Sequence, residues 1–158
     1  KMLNDYLQFA SSGATEKTIN FDLTKLINEI IDKIGNDKIS FEKKVSINFS
    51  GRKSLIRRCI NNFIDNSLKY AQKINLKTEK LKNNIWITIE DDGPGIPKSE
   101  YENVFKPFYK INKGRADAKS SVGLGLSISS DIIRSHGGKV ELDKSSLGGL
   151  KVMISLPS

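Results

Sequence analysis

Seven consecutive residues decide the fold: Asp91-Asp92-Gly93-Pro94-Gly95-Ile96-Pro97. They follow a predicted strand over residues 85–90, in which isoleucine occupies every second position and the isoleucines therefore share one face. Asp-Gly and Pro-Gly are ordinary turn dipeptides, so the chain must turn sharply here. Two consecutive aspartates and two spaced glycines exceed what a turn requires, and glycines let a flat ligand approach the backbone closely. We predict that this turn ends a strand and binds a ligand.

A second glycine-rich stretch, Gly123-Leu124-Gly125-Leu126, begins a predicted helix that continues to about Ser135 and stops at Gly137-Gly138. The free N–H groups and the dipole of a helix N-terminus form a seat for phosphate, and glycines let the phosphate reach it. The stretch is neither a Walker motif, since no GK[ST] follows, nor a Rossmann fingerprint. Taken singly, these glycines could equally begin an ordinary packed helix.

A polar loop from about Lys110 to Ser121 lies between the two glycine-rich stretches. Its length and polarity suit a lid over a triphosphate. Lys110 and Arg115 are among its cations, and spacing alone does not say which cation contacts phosphate. The aromatic residues just before the loop would anchor its base to the core.

A helix predicted over residues 53–71 carries Asn62 and Asn66. At about 100° per residue, its apolar face consists of Ile56, Cys59, Ile60, Phe63, Ile64 and Ala71. Asn62, Asn66 and Lys69 lie along one border of that face, and Tyr70 is close to the same border. Asparagine is a poor helix former, but its amide can bond phosphate and its oxygen can ligate Mg²⁺. For this helix alone, a solvated polar stripe is the simpler interpretation.

Together the three elements supply what a nucleoside triphosphate requires: a carboxylate for the base, backbone amides for phosphates, and amide oxygens for a divalent cation. The Asp91 carboxylate can accept a hydrogen bond from the exocyclic amine of adenine, whereas guanine presents a carbonyl at that position. The ordered set predicts a site for ATP and Mg²⁺.

The remaining segments predict an α+β two-layer sandwich, in which a mixed, mostly antiparallel sheet of about five strands packs against three helices. The other predicted elements are a strand over residues 18–21, a helix capped by Asp22 or Thr24 and ended by Gly35-Asn36, a strand containing Val45, Ile47 and Phe49, a strand over residues 74–81 with a turn at Asn83-Asn84, and a hairpin of residues 139–143 and 150–156 around Gly148-Gly149.

The composition is that of one soluble domain of 158 residues, with 37% hydrophobic and 28% charged residues. A net charge of +8 raises the question of nucleic acid, but the lysines are scattered and no arginine-rich run occurs, so we expect no nucleic-acid partner. Cys59 is the only cysteine, which excludes an internal disulfide and favours a reducing compartment. No apolar run approaches the roughly 18 residues of a membrane span.

The only histidine, His136, stands at a predicted helix end, where capping is a better interpretation than catalysis. Without a His/Cys cluster or a Ser/His/Asp set, zinc and serine-hydrolase hypotheses have no support. The sequence begins at Lys1 rather than methionine, and we expect it to be part of a longer protein. Apolar residues at helical spacing in residues 2–10 are typical of the end of a coiled-coil or bundle helix.

These motifs resemble the catalytic, ATP-binding domain of bacterial sensor histidine kinases, which belongs to the Bergerat-fold (GHKL) superfamily shared with gyrase, MutL and a family of heat-shock chaperones. Residues 62–70 resemble the N box of that family. The other matches are Asp91, Gly93 and Gly95 with the first glycine box, Phe105 and Phe108 with the aromatic box, and Gly123, Gly125 and Leu126 with the second glycine box. The last hairpin is similar to that of EnvZ-type kinases, and the resemblance covers about residues 18–157.

The resemblance implies the roles of the site residues. Asn66 would ligate Mg²⁺, Asn62, Lys69 and Tyr70 would meet phosphate or the lid, and Asp91 would hold adenine N6. Asn62, Asn66 and Lys69 would form the catalytic set. The residues expected to complete the nucleotide site are Gly93, Gly95, Ile96, Phe105, Lys110, Arg115, Val122, Gly123, Leu124, Gly125 and Leu126. Val122 departs from the family, where many members have another glycine.

The resemblance also implies the setting of the domain. Residues 1–14 would be the end of a dimerisation helix, and residues 15–158 the ATP-binding domain. The phosphoacceptor histidine would lie on the missing dimerisation helices of a homodimeric parent kinase, and the phosphoryl group would pass on to a response regulator. The parent is expected in the bacterial inner membrane, with this domain in the cytoplasm.

Two alternatives to a kinase remain at this point. The first is a nucleotide-sensing module without chemistry. The second is an ATPase of the gyrase type, but those relatives carry a glutamate as general base where this chain has Asn62. Lacking that base, the site should hydrolyse ATP poorly and protect the γ-phosphoryl group for an external nucleophile.

Overall fold

The computed structural model describes residues 16–35, 37–42, 45–107 and 125–158. The predicted helix end in residues 1–14, its boundary at residue 15 and the predicted lid lie outside these ranges. So do six residues named above for the site: Phe108, Lys110, Arg115, Val122, Gly123 and Leu124. No helix in the described part of the chain is long and apolar enough to cross a bilayer.

The described chain forms a two-layer α+β sandwich. The helices are α1 (Leu23–Ile34), α2 (Lys53–Leu68) and α3 (Gly125–Ser135), with short 3₁₀ turns at Lys98–Glu100 and Asn103–Phe105. The strands are β1 (Ile19–Asp22), β2 (Ile39–Glu42), β3 (Asn48–Gly51), β4 (Ile74–Leu81), β5 (Asn84–Asp91), β6 (Lys139–Lys144) and β7 (Leu150–Pro157).

Five strands form the main sheet in the order β2-β4-β5-β7-β6. β2 is parallel to β4, and every other neighbouring pair in this sheet is antiparallel. β1 and β3 pair separately as a two-stranded antiparallel ribbon. The predicted architecture is therefore confirmed in its sheet and in the three helices that the described residues contain.

Alternation along the central strands places the apolar side chains on the face that the helices cover. Ile85 pairs with Leu156 and Ile87 with Ile154 in the β5–β7 ladder, and all four are fully buried. Burying a side chain of this size stabilises the fold by about 1.5–3 kcal/mol. The same alternation fixes the register, because a one-residue slip would turn this whole set toward solvent. The end of β5 at Asp91 is therefore held in one place.

The ends of α1 show how local chemistry sets the bounds of a helix. Asp22 is the N-cap, and its Oδ1 accepts a hydrogen bond from the Lys25 backbone N–H at 3.1 Å. Thr24, the alternative cap, instead donates its hydroxyl to the Val45 carbonyl at 2.9 Å. At the C-terminus Gly35 adopts a left-handed φ of 62°, as predicted for a glycine that stops a helix.

The prediction failed in the segment between α1 and α2. β2 has only four residues and was missed. The predicted strand around Val45 begins later, at Asn48, and Val45 itself is 65% exposed. The Val45 carbonyl accepts a hydrogen bond from the Thr24 hydroxyl, and the Ile47 carbonyl accepts one from Leu23 N at 2.7 Å. Both carbonyls therefore bond the start of α1 and not a neighbouring strand. These residues alternate like a strand, but their backbone groups serve the first turn of a helix.

The apolar face of α2 was predicted correctly, because all six residues of the predicted set are buried. The helix itself ends at Leu68, before Ala71. The β4–β5 turn also lies one residue earlier than predicted, with Lys82 at a left-handed φ of 54° and Asn84 already in β5.

The N-terminus of α2 is capped from outside the helix. Its own N-cap residue, Arg52, makes no side-chain cap bond. The Glu16 carboxylate supplies the acceptors instead, receiving Ser54 N at 2.7 Å and Leu55 N at 3.3 Å. A carboxylate at this position also interacts favourably with the helix dipole. The segment before β1 is thereby attached to α2, the helix that carries the asparagines.

His136 also contacts the start of α2. Its Nδ1 lies 2.8 Å from the Ile132 carbonyl, in the last turn of α3, which confirms the capping prediction. Its Nε2 accepts a hydrogen bond from Arg52 N at 3.0 Å, so this nitrogen must be unprotonated and Nδ1 must carry the proton. Burial lowers the pKa of His136 below its ordinary value of 6.5.

The pKa of His136 predicts how stability depends on pH. Because the folded pKa is depressed, the unfolded chain takes up a proton first as pH falls, and the contribution of neutral His136 is present above pH 6.5 and lost as pH decreases through the folded pKa. Urea unfolding at pH 7.5, 6.5 and 5.5 should show decreasing stability. His136→Gln, which lacks the titrating ring, should lose most of this slope. An equal slope in the variant would contradict the assignment.

Candidate functional site

Asp91 is the centre of the site, at the end of β5. Its side chain is 6% exposed, and Oδ1 accepts hydrogen bonds from Gly93 N at 3.0 Å and Leu150 N at 3.1 Å. These two bonds hold the carboxylate in one orientation. Oδ2 makes no hydrogen bond with any residue in the described ranges. The second oxygen is therefore available to accept a hydrogen bond from a ligand.

Gly149 approaches Asp91 so closely that no side chain fits. A Cβ placed on Gly149 would overlap Asp91 Oδ1 and would lie 2.6 Å from Gly93 N. The Gly149 N–H also donates to the Asp91 carbonyl at 3.0 Å. From the sequence, Gly149 is predicted only to form part of a hairpin turn. The sequence signal for this contact is the pair of consecutive glycines, Gly148 and Gly149. Gly148, with a φ of 106°, already supplies the residue with positive φ in this turn, so a second glycine indicates a separate requirement.

The two predicted glycines of the first turn serve different needs. A Cβ on Gly93 would lie 3.2 Å from Asp91 Oδ1 and 3.3 Å from the Tyr70 carbonyl, which makes this position sterically tight. Gly95 has a left-handed φ of 72° and is needed for that backbone conformation. The contact between Gly93 and Tyr70 shows that the first glycine turn lies directly against the end of α2.

The asparagine border of α2 forms as predicted. Asn62, Asn66 and Lys69 are all partly exposed along one edge of the helix. The Asn66 amide forms no hydrogen bond with the described residues and can bind a ligand. Lys69 stands at the C-cap, and Tyr70 is 51% exposed just beyond it. Desolvation raises the pKa of the neighbouring Asp65, and the Lys69 ammonium opposes that shift.

Asn62 connects α2 to the second glycine-rich stretch. Its Nδ2 donates a long hydrogen bond of 3.4 Å to the carbonyl of Gly125, the first residue of α3. Cys59 and Ser129 reinforce this packing, since Ser129 Oγ donates to the Cys59 carbonyl at 3.3 Å and the thiol points to the Ser129 carbonyl at 3.6 Å. α2 therefore contacts one glycine stretch near its middle and the other at its end.

Cys59 has no reactive role at this site. It is fully buried, and burial raises the pKa of its thiol to about 12. A protonated, inaccessible thiol is a poor nucleophile.

Three apolar residues predicted to line the nucleotide site lie at the edge of the core. Ile96, Phe105 and Leu126 are partly buried and pack against the main hydrophobic cluster. Val104, next to Phe105, is buried. The predicted anchoring role of Phe105 is consistent with this packing.

The side chains available as ligands determine which metal ion this site could hold. The described residues contain no group of three or more His, Cys, Asp or Glu side chains that could hold a metal ion. Magnesium commonly takes one or two protein oxygens and fills its other positions with water and phosphate oxygens. The Asn66 amide oxygen fits that mode of binding.

Comparison with known proteins is consistent with this geometry. Residues 51–158 match the family described as Histidine kinase-, DNA gyrase B-, and HSP90-like ATPase. Sensor histidine kinase GtrS of Pseudomonas aeruginosa is 31% identical over 144 residues, which cover 90% of this chain and 29% of that protein. Sensor histidine kinase CpxA of Escherichia coli is 30% identical over an alignment 166 residues long. That alignment covers 99% of this chain and 36% of that protein. The chain thus spans about a third of the length of these relatives.

Among solved structures, the histidine kinase domain of the E. coli osmosensor EnvZ superposes with a TM-score of 0.67 at 30% identity, covering 87% of each chain. The ATP binding domain of PrrB from Mycobacterium tuberculosis gives a TM-score of 0.75 at 24% identity, covering 90% of this chain and 98% of that one. The second likeness is one of fold.

Substitution of Gly149 should displace Asp91. In Gly149→Ala the new methyl group must push Asp91 or Gly93 aside, and we expect a loss of about 1–3 kcal/mol in unfolding free energy with shifted amide resonances for Gly93 and Leu150. Gly148→Ala is the control, because its position is strained but has no neighbour within 4 Å. The control should lose stability without moving the Gly93 resonance. Unmoved Gly93 and Leu150 resonances in Gly149→Ala would contradict the steric role.

Proposed function

The chain belongs to the family of histidine kinase-, DNA gyrase B- and HSP90-like ATPases, and on that premise we propose that it is the ATP-binding catalytic domain of a two-component sensor histidine kinase. The observation that carries the proposal is the state of the Asp91 carboxylate at the end of β5. Backbone N–H groups bond one of its oxygens and leave the other for a ligand. β5 also contacts α2, the helix that carries the asparagines. The names of the relatives support the choice of a kinase within the family.

The adenine base is read by Asp91. Its fixed Oδ1 is occupied by Gly93 and Leu150, and Oδ2 accepts a hydrogen bond from the exocyclic amine of adenine. Guanine offers a carbonyl oxygen at the same position, and two acceptors facing each other would leave both without a donor. The site therefore selects ATP over GTP.

The phosphates are held by the border of α2. The Asn66 amide oxygen ligates Mg²⁺, Lys69 contributes a cation toward the phosphates, and Tyr70 lies beside them. When bound, the metal neutralises charge on the phosphate oxygens. Asn62 keeps the first turn of α3 in place through Gly125, whose neighbourhood forms the phosphate end of the site. The lid cations Lys110 and Arg115 complete the set in this proposal.

The absence of a general base separates a kinase from an ATPase. A neutral asparagine at position 62 cannot take a proton from water, whereas a glutamate can. Catalysis by this domain is then positioning plus charge stabilisation. The γ-phosphoryl group passes to a histidine on a separate dimerisation domain, and from there to an aspartate of a response regulator. In the parent, a homodimer at the bacterial inner membrane, residues 1–14 end the dimerisation helix and this domain lies in the cytoplasm.

Substitution of Asp91 tests the adenine site. Asp91→Asn replaces the ionised acceptor by an amide of the same shape, and calorimetry should show ATP affinity reduced at least about tenfold, equal to about 1.4 kcal/mol. Asp143→Asn, which removes one charge from an exposed position on β6, is the control and should bind like the unsubstituted chain. Unchanged ATP affinity in Asp91→Asn would remove Asp91 from the adenine site.

Substitution of Asn66 tests the chemistry. The chain is mixed with a separately prepared dimerisation domain and labelled Mg-ATP, and acid-labile phosphohistidine is measured. Asn66→Ala should abolish transfer while leaving the circular dichroism spectrum unchanged. Asn61→Ala, on the solvated side of the same helix, is the matched control and should retain transfer.

Four outcomes test the proposed function and its metal site. Transfer by the unsubstituted chain supports the kinase, and transfer retained by Asn66→Ala at saturating magnesium excludes the proposed metal role. ATP binding without phosphohistidine supports a nucleotide sensor. Rapid phosphate release by the chain alone supports an ATPase.

A further inference from the structure

Asp92 stands next to Asp91, but its carboxylate is bonded to a different part of the chain. Its Oδ1 accepts hydrogen bonds from Gln72 N at 2.8 Å and from Lys73 N at 2.9 Å. Its own N–H donates to the Lys73 carbonyl at 3.2 Å. The backbone hydrogen bonds from Lys73 and Gln72 lower the pKa of Asp92, so the carboxylate is ionised at neutral pH.

These bonds hold the loop that joins α2 to β4. The loop begins where α2 ends, at Lys69 and Tyr70, and continues through Gln72 and Lys73. The same loop touches the glycine turn a second time, because the Tyr70 carbonyl lies against Gly93. The two consecutive aspartates thus fasten one turn to two different parts of the chain: Asp91 attaches it to β7, and Asp92 attaches it to the loop that follows α2.

In the proposed function, the base is read by Asp91 and the phosphates are held by Asn66 and Lys69. A single nucleotide gains the full affinity of both ends only if the distance between them is already correct in the free protein. We propose that Asp92 is a positioning residue: by fixing the loop that follows α2, it sets the position of the end of that helix relative to Asp91, so that base and phosphates bind at the same time. This inference rests on the proposed ATP site.

The charge of Asp92 makes the proposal testable. A second carboxylate beside a site for a polyanion opposes binding through its charge. If Asp92 acted only through its charge, any neutral substitution would tighten ATP binding. If it acts by accepting hydrogen bonds, the result depends on whether the substitute keeps the acceptor.

The experiment compares Asp92→Asn, which keeps an acceptor oxygen and loses the charge, with Asp92→Ala, which loses both. Calorimetry or NMR titration measures the affinity of each for adenosine, ADP and Mg-ATP. Asp92→Ala should bind ADP and Mg-ATP about tenfold more weakly and adenosine within about twofold of the unsubstituted chain, because only the longer ligands span both ends. Asp92→Asn should match or exceed the unsubstituted chain for all three.

Other outcomes overturn the inference. Tighter ATP binding by Asp92→Ala shows an effect of charge alone. Equal losses for adenosine and ATP show a general structural defect. Because the Asp92 side chain is exposed, we expect Asp92→Ala to fold. If it does not, Asp92→Leu, which resembles asparagine in shape and has no acceptor, replaces it, and the same difference between adenosine and ATP is required. Failure of the unsubstituted chain to bind any adenine nucleotide overturns the proposed function itself, and this inference with it.

Discussion

The backbone hydrogen bonds that hold the Asp91 carboxylate are the constraint on which the rest of the site depends. A carboxylate buried at the end of a sheet strand must be bonded, because an unpaired buried charge is strongly unfavourable. Gly93 supplies one donor from the next turn, and Leu150 supplies the other from a strand distant in sequence. Both donors bond the same oxygen. The carboxylate is therefore held in place while one acceptor remains for a ligand.

This arrangement explains why glycine recurs around one aspartate. Gly149 is required because its backbone lies where a side chain would overlap Asp91, and Gly93 is confined between Asp91 and the Tyr70 carbonyl. Glycine loses more conformational entropy on folding than other residues, so each of these positions opposes stability. The buried aliphatic side chains of the β5–β7 ladder offset that cost and keep both strands in register.

The helix that carries the asparagines is held by residues from other elements along its length. Glu16 bonds the free N–H groups of its first turn, and His136 bonds the Arg52 N–H just before it. Ser129 contacts its middle, and Asp92 secures the loop that leaves it. Burial of its apolar face stabilises α2 against the sheet, and these polar contacts hold its two ends and its middle in place. Positions along α2 can then serve as rigid points for a ligand.

The sequence by itself determined the elements and faces that depend on local chemistry. β4 has the predicted bounds, α1 begins at a capping aspartate and ends at a left-handed glycine, and α2 buries its predicted face. These features were predictable because alternation, helical period and capping act between residues a few positions apart.

Only the tertiary structure decided which distant groups meet. Glu16 caps a helix 38 residues away, Asp91 bonds Leu150 across 59 residues, and the alternation around Val45 does not make a strand. No local pattern encodes such pairs, because they form only when the core has brought the elements together. The sequence therefore proposed candidate residues for the site, and the packing of β5, β7 and α2 decided how Asp91 and Asn62 are held.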